Sequence, residues 1–142
     1  MIDLSLFRAS YPVEVRYADV DALQHVNNAK YFTYMEVARV HYMADVLGWG
    51  GDWKALSIII ARAACDFKAP IRHPDVVRVH IRTARLGEKS FDFEYAIVTS
   101  GGMLAALAST VQVAYDYERQ QTMRVPNDWR EKITAFEPAL RG

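Results

Sequence analysis

A short polar segment, residues 19–28, carries the side chains of this sequence that are best suited to acid–base chemistry. It contains Asp19 and Asp21, separated by one residue, followed by His25 and two asparagines. An ionised carboxylate can act as a nucleophile or as the general base that activates a water molecule. The N–H groups at the start of a helix can stabilise a developing oxyanion. Because Asp21 precedes a predicted helix by one loop, its carboxylate can face that helix end, although loop aspartates are more often turn or capping residues.

Other reactive side chains are less well placed in the sequence. Glu36 and Arg39 are three residues apart on the predicted helix, so they can form an ion pair, with a catalytic Glu36 as the alternative. Cys65 lies in a predicted strand without a neighbouring base, which favours a core thiol over a nucleophile. The four histidines lack the spacing of a zinc site, and the sequence has no glycine-rich phosphate loop or serine elbow. We therefore predict no metal and no separate cofactor.

The hydrophobic pattern predicts the elements that must position the polar segment. Residues 11–18 alternate between apolar and polar side chains, as in a half-buried strand. Residues 29–47 repeat apolar side chains every three or four positions, which predicts one long helix. The residues at these steps are Tyr31, Tyr34, Met35, Ala38 and Tyr42. Apolar residues lie on other sides as well, so we expect protein to cover most of the helix circumference. Four further strands are predicted at 56–67, 76–86, 90–99 and 103–117, and a helical turn at 127–133. This order predicts an α+β fold in which the helix packs on a five-stranded antiparallel sheet.

The polar segment and the start of the helix also carry a family resemblance. The run Arg-Tyr-Ala-Asp-Val-Asp-Ala-Leu-Gln-His-Val-Asn-Asn-Ala-Lys-Tyr, residues 16–31, and the Glu-Val-Ala-Arg at 36–39 resemble the hot-dog thioesterases related to 4-hydroxybenzoyl-CoA thioesterase. The shared pattern is an Asp-x-Asp at a strand end, a His-Val-Asn-Asn loop, a Tyr opening the helix, and a Glu-x-Ala-Arg within it. A looser likeness covers about residues 11–117. It implies the hot-dog fold, with the sheet wrapped around the central helix, and subunits paired edge to edge with active sites at the dimer interface.

The resemblance assigns roles within the polar segment. Asp21 matches the family's catalytic carboxylate, and the backbone amide of Asn28 matches the group that polarises the carbonyl. Asp19 is expected to be mainly structural. His25 either orders a water or donates to the substrate, or it holds the loop by a hydrogen bond. Sequences close to the reference enzyme carry aromatic residues where Asn27 and Asn28 stand, which leaves the substrate preference open.

Further residues are expected to hold the coenzyme A and acyl parts of a substrate. By the same resemblance, Lys89 and Ser90 lie where the family holds coenzyme A phosphates, and Arg85 and Arg62 could join them, because cationic side chains suit a phosphate. The alternative is that these residues form only the solvated face of a sheet. The acyl group is expected in a tunnel beside the helix, with Tyr31 and Tyr34 as substrate-binding residues. Other candidates for the tunnel lining are Met35, Phe67 and Phe91.

Composition limits the class of protein. The 142 residues fit one domain, 1–142, and 51% of them are hydrophobic, enough for a filled core. Seventeen basic residues balance seventeen acidic ones, which argues against nucleic-acid binding and attraction to an anionic membrane. A single cysteine excludes an internal disulfide and favours a reducing compartment. With no long apolar run to enter a bilayer, we expect a cytoplasmic protein.

Together these features predict a thioesterase that hydrolyses an acyl-CoA, with coenzyme A as part of the substrate and a homodimer or homotetramer as the assembly. One alternative is the same fold acting on an acyl-carrier-protein thioester. A second is a protein that binds acyl-CoA without hydrolysing it.

Overall fold

The computed structural model describes residues 2–141 and contains six strands and two α-helices. The elements in chain order are β1 (Ala9–Glu14), α1 (Asn28–Asp45), β2 (Ile58–Phe67), β3 (Val76–Leu86), β4 (Ser90–Val98), β5 (Leu104–Asp116), β6 (Gln121–Thr122) and α2 (Asn127–Phe136). Short 3-10 helices cover Leu4–Leu6, Tyr17–Asp19 and Trp53–Ala55.

The sheet is antiparallel throughout, in the order β1-β3-β4-β5-β2, and β6 pairs with the end of β5. The predicted α+β hot-dog arrangement, five long strands curled around one central helix, is confirmed. Two details of the sheet differ from the prediction. The two-residue strand β6 was not predicted, and β1 covers Ala9–Glu14 rather than residues 11–18. The alternation continues past Glu14, but the Arg16 N–H donates to the carboxylate of Asp19 (3.0 Å) and the chain turns into a 3-10 helix.

Helix α1 begins at a side-chain cap and buries one side. Asn27 is its N-cap, and the Asn27 Oδ1 accepts the N–H of Ala29 at 2.9 Å, which satisfies one of the free donors of the first turn. The buried residues of the helix are Tyr31, Tyr34, Met35, Ala38, Tyr42 and Met43. They include all five residues of the predicted three- and four-residue repeat, but the expected cover around most of the helix is not found in the single chain. The opposite side stays open in the single chain, since Phe32 is 38% exposed and the Glu36 side chain 69% exposed.

The core lies between α1 and the inner faces of β3 and β4. Val77, Val79 and Ile81 alternate inward on β3, and aromatic residues do the same on β4. Each such buried side chain stabilises the fold by roughly 1.5–3 kcal/mol relative to exposure. Helix α2 completes this layer, because Trp129 packs edge-on against Phe91 with ring centroids 6.2 Å apart.

The two edges of the sheet differ in their capacity to pair with another strand. β1 contains Pro12, which lacks an N–H donor. β2 has no such residue, and it leaves Ile59, Ile60 and Phe67 exposed along a ten-residue edge. An apolar edge strand of this length is a template for pairing with a second chain. Among the described residues, neither helix combines the length and apolar character needed to cross a membrane.

Candidate active site

The polar segment folds into a hairpin that leads directly into α1. Val20 and Val26 form an isolated antiparallel bridge. On either side of it, the Asn27 N–H donates to the Asp19 carbonyl (2.9 Å) and the Asp21 N–H donates to the His25 carbonyl (3.0 Å). The Val26 N–H donates to the Ile71 carbonyl (2.8 Å), so the hairpin is also fixed to the segment that precedes β3.

Asp21 lies where this hairpin turns. Its Oδ1 accepts the N–H of Leu23 (2.9 Å), and its carbonyl accepts the N–H of Gln24 (3.0 Å), which closes the turn. Gln24 adopts a left-handed conformation with φ 67°. Asp21 thus has the turn role expected of a loop aspartate. Its carboxylate is half-buried, however, and within residues 2–141 the Oδ2 has no hydrogen-bond partner.

Asn28 is the first residue of α1, and its backbone N–H is free. The next two amides of the first turn are taken, because Ala29 donates to the Asn27 side chain and Lys30 to the Asn27 carbonyl. No acceptor for the Asn28 N–H lies in the described part of the chain. The Asp21 N–H donates to the His25 carbonyl, and His25 precedes Asn28 by three residues, which is about 10 Å of extended chain. A carboxylate and an unpaired helix-end donor therefore lie on the same hairpin.

A depression of about 120 Å³ surrounds Asp21. Besides Asp21, it is lined by Tyr17, Val20, Gln24 and His73. The rings of Tyr17 and His73 lie against each other with centroids 5.9 Å apart. Sequence reasoning missed both as neighbours of Asp21, because His73 stands in a His-Pro-Asp turn far along the chain. The predicted His25 is half-buried, and its imidazole has no hydrogen-bond partner among residues 2–141.

Asp19 is the buried acid of the hairpin, with 1% of its surface exposed. Burial alone would raise the pKa of Asp19, but hydrogen bonds from the Arg16 N–H, the Tyr34 hydroxyl and the Arg16 guanidinium outweigh burial and lower that pKa. Asp19 is therefore an ionised, fully bonded structural acid.

The residues predicted to hold coenzyme A lie elsewhere. The Arg85 guanidinium donates to the Ser90 hydroxyl (2.7 Å) and to Asp92 (2.8 Å), while Lys89 is exposed in the adjacent turn. The hydrogen bond with Asp92 raises the pKa of Arg85. Arg62 on β2 lies at the same level of the sheet as Arg85. Neighbouring strands connect the two by residue pairing, Arg62 with Val111, Val111 with Asp92, and Asp92 with Arg85. Three strand spacings place it about 14 Å from Arg85, so Arg62 does not complete a single cluster with it.

Within one chain, the Asp21 hairpin and the Lys89 turn lie at opposite ends of the sheet. The Val15 N–H donates to the Asp75 carbonyl, next to the start of β3, whereas the Lys89 turn follows the end of β3. The strand between them is 11 residues long, about 33 Å. Sequence spacing could not reveal this separation, since it does not show at which end of a sheet a loop emerges.

The residues expected to line the tunnel divide into two groups. Tyr34, Met35 and Phe91 are at most 2% exposed, so they belong to the core of the single chain. The Tyr34 hydroxyl donates to Asp19 (2.7 Å). Tyr31 packs edge-on against Phe67 with centroids 4.9 Å apart, and Phe67 remains 42% exposed next to the start of α1. Substrate binding by Tyr31 and Tyr34 stays a prediction.

Glu36, Arg39 and Cys65 are the other candidate groups singled out from the sequence. Arg39 lies 3.9 Å from Glu36, so the predicted ion pair is confirmed. Burial, followed by the charge of Asp66, raises the pKa of Cys65 to about 11, which keeps the thiol neutral at ordinary pH. Within residues 2–141, no three His, Cys, Asp or Glu side chains lie close enough together to hold a metal ion.

Comparison with known proteins agrees with this fold. The model of the thioesterase-like superfamily matches residues 15–133. The crystal structure of a thioesterase from Thermus thermophilus, complexed with coenzyme A and Zn, is 34% identical with a TM-score of 0.82, covering 92% of this chain and 94% of that chain. The long-chain acyl-CoA thioesterase FadM of Escherichia coli (strain K12) is 24% identical over 124 residues, 85% of this chain and 93% of that protein.

A shorter match joins the chain to the uncharacterized protein YsmA of Bacillus subtilis (strain 168), 26% identical over 83 residues. It covers 58% of this chain, and the chain spans 56% of that relative. The curled sheet around one helix defines a hot-dog protein. Because the superfamily model matches most of its length, the chain belongs to the thioesterase-like superfamily, and by class it is a thioester hydrolase.

Proposed function

We propose that the chain hydrolyses the thioester of an acyl-CoA, with Asp21 as the catalytic carboxylate and the Asn28 N–H as the donor that polarises the carbonyl. The observation that carries this proposal is the free Asn28 amide at the start of α1, joined by one hairpin to a carboxylate with an unpaired oxygen. The coenzyme A complex of the Thermus thermophilus thioesterase supports the choice of substrate.

The proposed chemistry needs few groups. The thioester oxygen accepts the Asn28 N–H, and the positive end of the α1 dipole favours the oxyanion that forms there. Asp21 either removes a proton from the attacking water or attacks the carbonyl carbon itself to give an anhydride that water then cleaves. The carbon–sulfur bond breaks, the coenzyme A thiolate takes up a proton, and the free acid leaves. His25 is proposed to order the water.

The same proposal requires a second copy of the chain. Lys89, Ser90 and Arg85 are too far from Asp21 in one protomer to hold the coenzyme A phosphates of the same substrate. The Ile58 end of β2 lies on the Lys89 side of the sheet, and the Phe67 end lies beside the start of α1. Antiparallel pairing of two β2 strands about a two-fold axis reverses these ends. It would bring Lys89 of the partner subunit toward the Asp21 hairpin.

The dimer is supported further by the exposed surface that it would cover. Ile59, Ile60 and Phe67 on β2, and Phe32 on the open side of α1, are apolar and exposed in the single chain.

A cytoplasmic location is also proposed, and the single free cysteine, Cys65, is consistent with a reducing compartment.

Thiol release from a panel of acyl-CoAs of different chain length and aromatic character tests the function. We expect turnover of at least one acyl-CoA, and slower turnover of the matched acyl-carrier-protein thioester. Faster turnover of the carrier-protein substrate would assign the protein to that branch. Tight binding of acyl-CoA without thiol release from any member of the panel would contradict the proposed hydrolysis.

A further inference from the structure

The buried carboxylate of Asp19 accepts hydrogen bonds from Arg16, which precedes it in the chain, and from Tyr34 on α1. Its Oδ2 accepts the Tyr34 hydroxyl (2.7 Å) and the Arg16 N–H (3.0 Å), and its Oδ1 accepts the Arg16 guanidinium (3.1 Å). Tyr34 lies in the second turn of α1 and is 2% exposed. The charge-assisted bond from its hydroxyl to Asp19 is shielded from water, where such bonds are strongest.

The main chain of Asp19 is attached to the same helix about two turns earlier, at the N-cap. Its carbonyl accepts the N–H of Asn27, the residue that caps α1 (2.9 Å). Asp19 thus connects the hairpin to the helix at two points, the cap and the second turn. Between these points lies Asn28, and two residues beyond Asp19 lies Asp21.

We propose that Asp19 and Tyr34 are positioning residues for the hydrolysis: their hydrogen bond holds the hairpin that carries Asp21 against the first turns of α1. This inference rests on the proposed function, because it takes Asp21 and the Asn28 amide as the reacting pair. It gives the Tyr34 hydroxyl a different task from the substrate contact predicted from the sequence. The hydroxyl fixes the distance between carboxylate and amide without touching the substrate.

The cost of losing this bond follows from the geometry of the reaction. A displacement of about 1 Å at a reacting group can lower a rate about 100-fold. Removing the Tyr34 hydroxyl leaves the Asp19 carboxylate bonded only to Arg16. The hairpin then keeps its main-chain bond to Asn27 but loses the second attachment point.

A matched pair of variants tests the inference. Tyr34→Phe removes the hydroxyl that binds Asp19. Tyr42→Phe removes a second buried hydroxyl of the same helix, which donates to the carboxylate of Glu137 (2.5 Å) far from the Asp21 hairpin. We expect Tyr34→Phe to lower kcat about 10- to 100-fold with KM changed less than about threefold, as for an interaction used only in the transition state. Tyr42→Phe should lower the thermal unfolding midpoint and leave kcat unchanged.

A double-variant cycle separates positioning from general stability. Asp19→Ala removes the same hydrogen bond from its other end, so Asp19→Ala combined with Tyr34→Phe should lower kcat no further than Asp19→Ala alone. Asp19→Asn retains one acceptor oxygen for Tyr34 and should recover part of the lost rate. Full additivity of the two effects on kcat would overturn the inference.

Two other outcomes would also contradict it. A raised KM with unchanged kcat in Tyr34→Phe would make Tyr34 a substrate contact. Equal losses of kcat in Tyr34→Phe and Tyr42→Phe would mean that both hydroxyls act only by stabilising the helix.

Backbone hydrogen exchange gives a readout that does not depend on activity. We expect faster exchange of the amides in residues 20–28 in Tyr34→Phe and not in Tyr42→Phe. If the unmodified chain hydrolyses no acyl-CoA, the proposed function fails, while the exchange rates still decide whether the Tyr34 bond holds the hairpin. Unchanged exchange in Tyr34→Phe would show that it does not.

Discussion

Asp19 and Asp21 are two residues apart, yet their surroundings give them different tasks. Asp19 is buried, and its hydrogen bonds to Arg16 and Tyr34 engage both of its oxygens. Asp21 sits at the tip of the same hairpin, where one oxygen accepts the Leu23 N–H and the other is open. The resemblance carried by the Asp-x-Asp pattern implies a structural acid at Asp19 and a catalytic one at Asp21, and the catalytic role remains a proposal. The assignment of roles depends on burial, which the pattern does not show.

A third acid, Glu137, is buried at the end of α2. Its Oε2 accepts the Tyr42 hydroxyl (2.5 Å) and the Thr83 N–H (2.7 Å), and within the described residues its Oε1 has no partner. Burial raises the pKa of Glu137, although these two bonds and the charges of Arg82 and Arg8 act in the opposite direction. The folded state therefore binds a proton at Glu137 more tightly than the unfolded chain does.

This raised pKa predicts a pH dependence of stability with a definite sign. Protonated Glu137 contributes fully to the free energy of unfolding below the ordinary pKa of a glutamate. This contribution is lost as pH rises through the higher pKa that Glu137 has in the folded state. The glutamine side chain of the Glu137→Gln variant cannot ionise. The free energy of unfolding of this variant, minus that of the unmodified chain, should therefore increase from pH 4 to pH 8. Denaturant unfolding of both chains across this range measures the difference. A constant difference at every pH would contradict the prediction.

At the scale of elements, helices and strands with one buried face were predicted best from the sequence. The alternation on β3 and β4 and the three- and four-residue spacing on α1 mark the surfaces that meet in the core. β1 was predicted too long because side-chain alternation cannot show that the Arg16 N–H bonds to Asp19 instead of to a neighbouring strand. The predicted turn at residues 127–133 extends to Phe136, where Glu137 ends α2.

At the scale of the whole molecule, the sequence could not show where the two halves of the site lie. Asp21 and Lys89 were predicted to act on one substrate, yet β3 separates them within the chain. A homodimer through β2 is the arrangement proposed to reunite them. Its consequence is that each site takes its carboxylate from one subunit and its phosphate contacts from the other.

Mixed dimers test that arrangement. Asp21→Asn is expected to be inactive, and Lys89→Glu to bind acyl-CoA poorly because it places a negative charge near the phosphates. When the two chains are unfolded together and refolded, half of the dimers combine one of each. In each mixed dimer one site has both native residues, so thiol release at low acyl-CoA concentration should recover to about one quarter of the native rate.

The matched control is each variant refolded alone. If the site is instead formed within one chain, the mixed sample should release thiol at no more than the mean of the two separate samples. That result, or a chain that remains monomeric while fully active, would contradict the dimeric site.

The most direct test of the account is the steady-state rate of thiol release by Asp21→Asn and Asp21→Ala, with Glu36→Gln as control. Glu36, on the exposed side of α1, is the acid that the sequence offered as an alternative catalytic residue. We expect both Asp21 variants to lose at least about 100-fold in kcat, the loss typical of a removed catalytic acid or base, with the fold intact. Glu36→Gln should retain the native rate. Normal turnover by Asp21→Ala together with an inactive Glu36→Gln would contradict the account.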